Sequence, residues 1–274
     1  MNHWRPYTYQ PEEIGRRIRD AEELSSRRID DKEFLKTILG CIDLTSLNAT
    51  DTSQTIHDLC LQALEMKYPV AAVCVYPTFV SQAAGWLRGS NIRLAAVAGS
   101  FPGGMSPIHV KVQEVEWTVA QGAEEIDMVI SRGTLMEGKQ KQVADEVRAI
   151  RKACGSAHLK VILETGELAK PSLIRRASEI ALDEGAHFIK TSTGKIQPAA
   201  TPEAALIMCD TLHEFRAATG IHAGFKPAGG ISTPEQALLY AAIMEQTLGK
   251  DSLNPGLFRI GASRLVKTLL DLIC

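Results

Sequence analysis

The chain has 274 residues, a formal net charge of −2, 45% hydrophobic residues and 23% charged residues, values ordinary for a soluble globular protein with one sizeable core. The near-neutral charge without a basic block gives no electrostatic basis for a nucleic-acid partner. No apolar run approaches the roughly 18–20 residues that a membrane span needs, so no membrane partner is expected.

The six cysteines are scattered along the chain, without a C-x-x-C pair or the spacing of metal ligands. The first residues also lack the basic region followed by an apolar region that is typical of a secretory signal. We therefore expect a cytoplasmic protein with free thiols and without a metal ion.

The first 37 residues are polar and rich in charge, and they contain two segments of helical character, PEEIGRRIRDAEELSSR and DDKEFLKTIL. Nothing in these segments suggests chemistry. We predict that residues 1–37 form a helical extension with a structural role, followed by a single domain over residues 38–274.

Beyond this extension, short β-rich runs alternate with helical segments such as 106–123, 171–186 and 234–249, which have helical periodicity or helix start and stop signals. The eight predicted strands lie at 41–47, 71–77, 92–102, 125–131, 158–166, 187–194, 223–231 and 257–263. This alternation predicts a (β/α)8 TIM barrel. A doubly wound open sheet is the alternative, but the first strand runs into SLNATDT and lacks the G-x-G-x-x-G turn usual there.

Five predicted strands each place one ionisable residue between apolar neighbours. These residues are Asp43, Asp127, Lys160, Lys190 and Lys226. A single such charge is more often a rim residue or a structural ion pair. Because buried charges are costly unless paired and a barrel interior is normally apolar, five together predict an active site.

Three ammonium groups against two carboxylates leave a surplus positive charge in this cluster. A lysine beside another cation and away from water is driven towards its neutral form, which can attack a carbonyl and form a Schiff base. Lys190 is the predicted nucleophile, and Asp127 is the predicted acid–base group.

Three glycine-containing stretches close the last three strands, TSTGK at 191–195, PAGGI at 227–231 and IGAS at 260–263. Barrels commonly hold phosphate after their last strands, on backbone N–H groups that glycine leaves accessible. The alternative is that these glycines only form tight turns.

The motifs IDLTSLN, AVCVYP, EIDMV, LKVILETGEL, FIKTSTGK, GFKPAGG and GAS occur in this order across residues 41–264. This series resembles the deoxyribose-phosphate aldolases, class I aldolases on a (β/α)8 barrel. The resemblance implies reversible cleavage of 2-deoxy-D-ribose 5-phosphate to D-glyceraldehyde 3-phosphate and acetaldehyde, without a cofactor, by a homodimer.

The resemblance also implies individual roles. Lys190 corresponds to the Schiff-base lysine, Lys226 to the lysine that lowers its pKa and takes part in proton transfer, and Asp127 to the acid–base aspartate. Asp43 and Lys160 correspond to supporting polar residues, and Cys74 to a cysteine that lines the aldehyde pocket. The residues that correspond to the phosphate site are Thr193, Gly194, Lys195, Gly229, Gly230, Gly261 and Ser263.

The sequence departs from some members at Ser232, where they place an arginine, and at Arg264, where they place a second serine. Two other functions remain open at this point. One is a Schiff-base barrel aldolase that acts on a different sugar phosphate. The other is a non-catalytic sensor of sugar phosphates.

Overall fold

Eight parallel strands follow one another around a closed sheet in a computed structural model that describes residues 4–274. The strands are β1 (Ile42–Thr45), β2 (Ala72–Val75), β3 (Arg93–Ala98), β4 (Glu125–Val129), β5 (His158–Ile162), β6 (Phe188–Lys190), β7 (Gly224–Lys226) and β8 (Ile260–Ala262). Consecutive strands pair from β1 to β7, and β1 also pairs with β8. Bridges between Phe225 and Phe258 and between Ala228 and Gly261 join β7 to β8. The predicted barrel is confirmed, and the open sheet is wrong.

Helices connect the strands and cover the outside of the barrel. They are α1 (Pro11–Ser26), α2 (Lys32–Leu39), α3 (Ser53–Glu65), α4 (Val80–Trp86), α5 (Ile108–Ala120), α6 (Arg132–Met136), α7 (Gln140–Ala153), α8 (Thr165–Leu168), α9 (Pro171–Asp183), α10 (Pro202–Thr219), α11 (Pro234–Leu248) and α12 (Leu265–Ile273), with short 3-10 helices at Pro77–Phe79 and Lys250–Ser252. Helices α3, α10 and α11 are capped by the side chains of Thr52, Thr201 and Thr233. Each hydroxyl accepts a hydrogen bond from a backbone N–H of the first turn. Among the residues described, no helix combines the length and apolar character needed to cross a membrane.

The two faces of the barrel strands differ in chemistry because side chains alternate across a strand. Outward residues such as Ile126, Met128 and Ile189 join the large apolar core beneath the helices. Inward residues of β2 and β3, including Cys74 and Val97, form a separate, small apolar cluster. The rest of the barrel interior is available for polar groups.

The two helices predicted before the barrel are confirmed as α1 and α2. Helix α1 packs against α10 and α11, and α2 packs against α12. Two hydrogen bonds of 2.7 and 2.9 Å join the Arg17 guanidinium to the Asp210 carboxylate of α10. The boundary at residue 37 and the purely structural role of this extension stay predictions.

Candidate active site

The register of the sheet brings the five predicted charged residues together inside the barrel. Asp127 on β4 lies opposite Lys160 on β5, and Lys190 on β6 lies opposite Lys226 on β7. Asp43 enters from β1. Lys190 is 3% exposed and the other four are fully buried.

Asp127 is the centre of this cluster. Its Oδ1 accepts a hydrogen bond of 2.9 Å from the Lys160 ammonium. Its Oδ2 accepts from both Lys190 and Lys226, each at 2.7 Å. Two lysine side chains therefore share one carboxylate oxygen, which places their Nζ atoms close together.

Asp43 supports the cluster from the opposite side of the barrel. Lys226 donates a hydrogen bond to its Oδ2, and the Nζ of Lys160 lies 3.5 Å from the same oxygen. Lys226 is therefore held between two carboxylates, whereas Lys190 contacts only one in the part of the chain that the structure describes.

Two further buried charges belong to the cluster, and neither was predicted from the sequence. Glu125 is fully buried and lies 2.5 Å from the Nζ of Lys160. Arg259, 4% exposed, donates to Glu125 at 2.8 Å and to Asp43 at 2.6 Å. The two-residue repeat of a strand could have identified both residues. Glu125 precedes Asp127 by two positions, and Arg259 precedes Gly261 by two.

The interior cluster is thus larger than predicted but retains one surplus positive charge. Its members are the cations Lys160, Lys190, Lys226 and Arg259 and the acids Asp43, Glu125 and Asp127. Among the residues described, no group of three or more His, Cys, Asp or Glu side chains is arranged as metal ligands.

Lys190 is the cation whose positive charge the acids of the cluster stabilise least. Burial lowers its pKa, the Lys226 ammonium lowers it further, and the Asp127 carboxylate only partly opposes them. Burial acts the same way on Lys226, but the carboxylates of Asp127 and Asp43 outweigh it and raise that pKa. The Lys160 pKa is raised as well, because Asp127 and Glu125 outweigh burial. Lys190 is therefore the lysine of this cluster that most readily becomes a neutral amine.

Arg259→Met tests how much the contacts of Arg259 with Glu125 and Asp43 stabilise the fold. When Lys190 is a neutral amine, the three acids of the cluster are balanced by the three other cations, so loss of the Arg259 guanidinium leaves one buried negative charge uncompensated. We therefore expect the free energy of unfolding to fall by about 3–5 kcal/mol. The matched control is Arg148→Met, because Arg148 also contacts two carboxylates, at 2.6 and 2.7 Å, but its side chain is 60% exposed. The control should cost no more than about 1 kcal/mol. Urea unfolding measures both, and equal losses would contradict the prediction.

A cavity of about 370 Å³ opens above the charged cluster at the carboxyl ends of the strands. Lys190 is the member of the cluster that lines it. The seven residues predicted for phosphate binding also line this cavity, as do Ser232 and Arg264: Thr193, Gly194, Lys195, Gly229, Gly230, Gly261 and Ser263. The structure thus brings the predicted nucleophile and the glycine-rich loops to one cavity.

Glycine is required where two of these loops meet. Gly229 has a φ of +86°, and a Cβ there would lie 2.6 Å from the Cβ of Ala199 and 3.0 Å from the Cα of Gly194. The backbones after β6 and β7 therefore approach too closely for a side chain, and their peptide groups border the cavity.

Three predicted site residues are either engaged by other protein groups or buried away from the cavity. The Thr193 hydroxyl already donates to Glu164, at 2.5 Å, and accepts from the Lys195 N–H, at 3.1 Å. The Lys195 ammonium donates to the carbonyl of Leu47, and both residues line the cavity. Cys74 is fully buried in the inner apolar cluster and is not among the residues that line the cavity. Burial raises the pKa of its thiol to about 11.

The chain is similar in sequence and fold to known aldolases. Residues 37–265 match the model of a family described as DeoC/LacD family aldolase. The chain is 43% identical over 266 residues to a putative deoxyribose-phosphate aldolase of Caenorhabditis elegans, covering 94% of this chain and 88% of the relative. It is 41% identical to the deoxyribose-phosphate aldolase of Homo sapiens, covering 92% and 86%. A crystal structure of a putative deoxyribose-phosphate aldolase from Coccidioides immitis is 29% identical, with a TM-score of 0.76 and coverage of 91% and 97%.

Proposed function

Because this chain belongs to the DeoC/LacD family of aldolases, we propose that it reversibly cleaves 2-deoxy-D-ribose 5-phosphate to D-glyceraldehyde 3-phosphate and acetaldehyde. It is an enzyme, a lyase that acts on a carbon–carbon bond. The observation that carries the choice of mechanism is Lys190, a buried amine of lowered pKa at the base of a cavity bordered by glycine-rich loops.

The first step is attack of the neutral Lys190 amine on the aldehyde carbon C1 of the sugar. Loss of water gives a protonated Schiff base, which draws electrons from the C2–C3 bond. A base removes the proton of the C3 hydroxyl, the bond breaks, and glyceraldehyde 3-phosphate leaves while C2 remains as part of an enamine. Protonation of C2 and hydrolysis then release acetaldehyde and the free amine.

Asp127 and Lys226 are proposed to move the protons of these steps. Both contact the amine region directly, because the Asp127 Oδ2 accepts from Lys190 and from Lys226 at 2.7 Å. Burial opposes ionisation of the Asp127 carboxyl, but the lysine ammonium groups outweigh it and hold the pKa well below its usual range. Asp127 is therefore ionised, which is the form that a base needs to take a proton directly or through a water. Asp43 and Lys160 orient this pair, and Cys74 lies on the apolar side of the barrel interior.

The phosphate of the substrate is proposed to bind at the loops after β6, β7 and β8. Gly194, Gly229 and Gly230 have positive φ angles of +77°, +86° and +79°, and all three border the cavity. Lys195 and Ser263 line the same cavity and supply an ammonium group and a hydroxyl. Peptide N–H groups, a hydroxyl and an ammonium group together suit a dianionic phosphate.

A substrate panel tests the proposed reaction. The purified protein would be given 2-deoxyribose 5-phosphate, unphosphorylated 2-deoxyribose and fructose 1,6-bisphosphate, with aldehyde formation measured in each case. We expect the highest kcat/KM for 2-deoxyribose 5-phosphate. Preferential cleavage of the ketose would indicate an aldolase for a different sugar phosphate, and binding without cleavage of any sugar would indicate a sensor.

We further propose that the enzyme acts in the cytoplasm, in the breakdown of deoxyribonucleotides, as a homodimer. The free thiols Cys41, Cys60, Cys74, Cys154, Cys209 and Cys274 support a reducing compartment. Light scattering coupled to gel filtration measures the assembly, and a mass other than that of two chains would contradict the dimer.

A further inference from the structure

Glu164 is a buried carboxylate beside the cavity that the proposed reaction does not use. It lies two residues beyond the end of β5, is 1% exposed, and has φ and ψ of +58° and +61°. This left-handed conformation is unfavourable for a residue with a side chain and persists where surrounding contacts fix it. Both the burial and the backbone conformation call for an explanation.

The carboxylate of Glu164 accepts hydrogen bonds from Thr193, near the start of the loop after β6. The Thr193 backbone N–H lies 3.2 and 3.3 Å from its two oxygens, and the Thr193 hydroxyl donates to Oε2 at 2.5 Å. The Thr193 oxygen in turn accepts from the Lys195 N–H. Glu164 therefore restrains Thr193, and Thr193 in turn restrains the segment that contains Gly194 and Lys195.

Further contacts join the same two loops. The Thr165 N–H donates to the Thr191 carbonyl at 2.9 Å. A Cβ at Gly166 would lie 1.8 Å from the Pro198 carbonyl oxygen, so the two backbones are in direct contact. On its other side Glu164 lies 3.8 Å from the Arg132 guanidinium, which also contacts Glu167 at 2.5 Å.

We infer that Glu164 is a positioning residue of the phosphate site, which fixes the Thr193–Lys195 segment so that Gly194 and the Lys195 ammonium meet the phosphate. Glu164 lies outside the cavity lining and acts through Thr193. This inference rests on the proposed function, because it assigns a phosphate to the cavity.

The direction in which phosphate affinity changes when the Glu164 charge is removed distinguishes a positioning role from electrostatic repulsion. A carboxylate close to an anion site repels the anion, so removal of its charge alone should strengthen phosphate binding. If Glu164 instead holds the loop, weaker hydrogen bonds to Thr193 should weaken phosphate binding despite the lost negative charge. Glu164→Gln removes the charge with almost no change in shape, and its neutral amide oxygen accepts the Thr193 hydrogen bonds more weakly than the carboxylate does.

The matched control is Glu167→Gln. Glu167 contacts the same Arg132, and its substitution also removes one negative charge, but the described residues show no contact between Glu167 and Thr193. Titration calorimetry with inorganic phosphate should show about a tenfold higher Kd for Glu164→Gln, the change expected when hydrogen bonds lose the charge of their acceptor. The control should bind phosphate as tightly as the wild type or more tightly. Equal or tighter binding by Glu164→Gln would overturn the inference.

Kinetics provide a second readout. Glu164→Gln should raise KM for 2-deoxyribose 5-phosphate about tenfold while kcat/KM for unphosphorylated 2-deoxyribose stays at the wild-type value. Equal losses on both sugars would indicate a merely structural role and overturn the inference. If the wild type cleaves neither sugar, the proposed function fails, whereas the phosphate titration still decides the role of Glu164.

Thr193→Val keeps the experiment decisive if Glu164→Gln does not fold. Valine preserves the shape of threonine but removes the hydroxyl through which Glu164 reaches Lys195. Its Kd for inorganic phosphate should rise in the same way, and an unchanged Kd would overturn the inference. Where both single variants fold, the double variant should bind no more weakly than the weaker of the two, because both interrupt the same connection.

Discussion

Lys190→Met is expected to abolish cleavage of 2-deoxyribose 5-phosphate while the barrel stays folded. Methionine fills nearly the same volume but provides no amine to attack the sugar aldehyde. Lys226 and Lys160 lie beneath the cavity and have raised pKa values, so neither replaces Lys190 as a neutral nucleophile. We expect kcat to fall by about four orders of magnitude or more, as on removal of other nucleophiles.

The fold should tolerate this change because burial already disfavours the Lys190 ammonium. Asp127 keeps Lys160 and Lys226 as partners, so no unpaired charge is created. Lys111→Met provides the reciprocal control. Lys111 is also buried, but it supports Glu146 and the Gly104 carbonyl far from the cluster.

The two lysine variants should therefore behave in opposite ways. Lys111→Met should lose about 3–5 kcal/mol of unfolding free energy because it leaves Glu146 buried and unpaired, and its folded fraction should keep a normal kcat. Lys190→Met should keep its unfolding free energy and lose its kcat. An active Lys190→Met variant would show that another group is the nucleophile.

Lys226→Met is expected to move the acid limb of the kcat/KM–pH profile to higher pH by about one unit. The reactive form of Lys190 is the neutral amine, and the positive charge of Lys226 favours that form. Its removal also leaves the shared Asp127 oxygen to Lys190 alone, which stabilises the Lys190 ammonium. Both effects raise the Lys190 pKa, so the loss of rate from this cause is largest below that pKa and disappears above it.

Lys160→Met is the contrasting variant, because Lys160 contacts the opposite oxygen of Asp127, at 2.9 Å. It removes a buried ammonium as well, but the Asp127 oxygen that Lys190 uses remains shared with Lys226. The acid limb should therefore move less than in Lys226→Met. If Lys226→Met lowered the rate equally at every pH, the account of how Lys190 is activated would be wrong.

The alternation of strands and helices along the sequence predicted the barrel. The two-residue repeat of a strand predicted the inward direction of five charges, because it depends only on the backbone geometry of the strand. The same repeat applied to Arg259, which lies between Phe258 and Ile260, would have added it to the set. The same repeat applied to β4 would have added Glu125, which precedes the inward Asp127 by two positions, and would have excluded its neighbour Glu124.

The role of Glu164 lay outside what sequence patterns reach. Its left-handed backbone at a non-glycine residue has no local signature, and its partner Thr193 is 29 residues away on the next loop. The sequence placed Thr193 at the phosphate, whereas the structure shows its hydroxyl engaged by Glu164 and Lys195. Such links depend on how neighbouring loops pack once the barrel has closed.

The central claim is that Lys190 forms a Schiff base with the sugar, and reductive trapping tests it most directly. The protein would be incubated with 2-deoxyribose 5-phosphate, reduced with borohydride, digested and mapped by mass spectrometry. We predict a stable adduct on the peptide that contains Lys190, absent when the sugar or the borohydride is omitted. An adduct on Lys226 or Lys160, or none on a folded protein that binds the sugar phosphate, would contradict the claim.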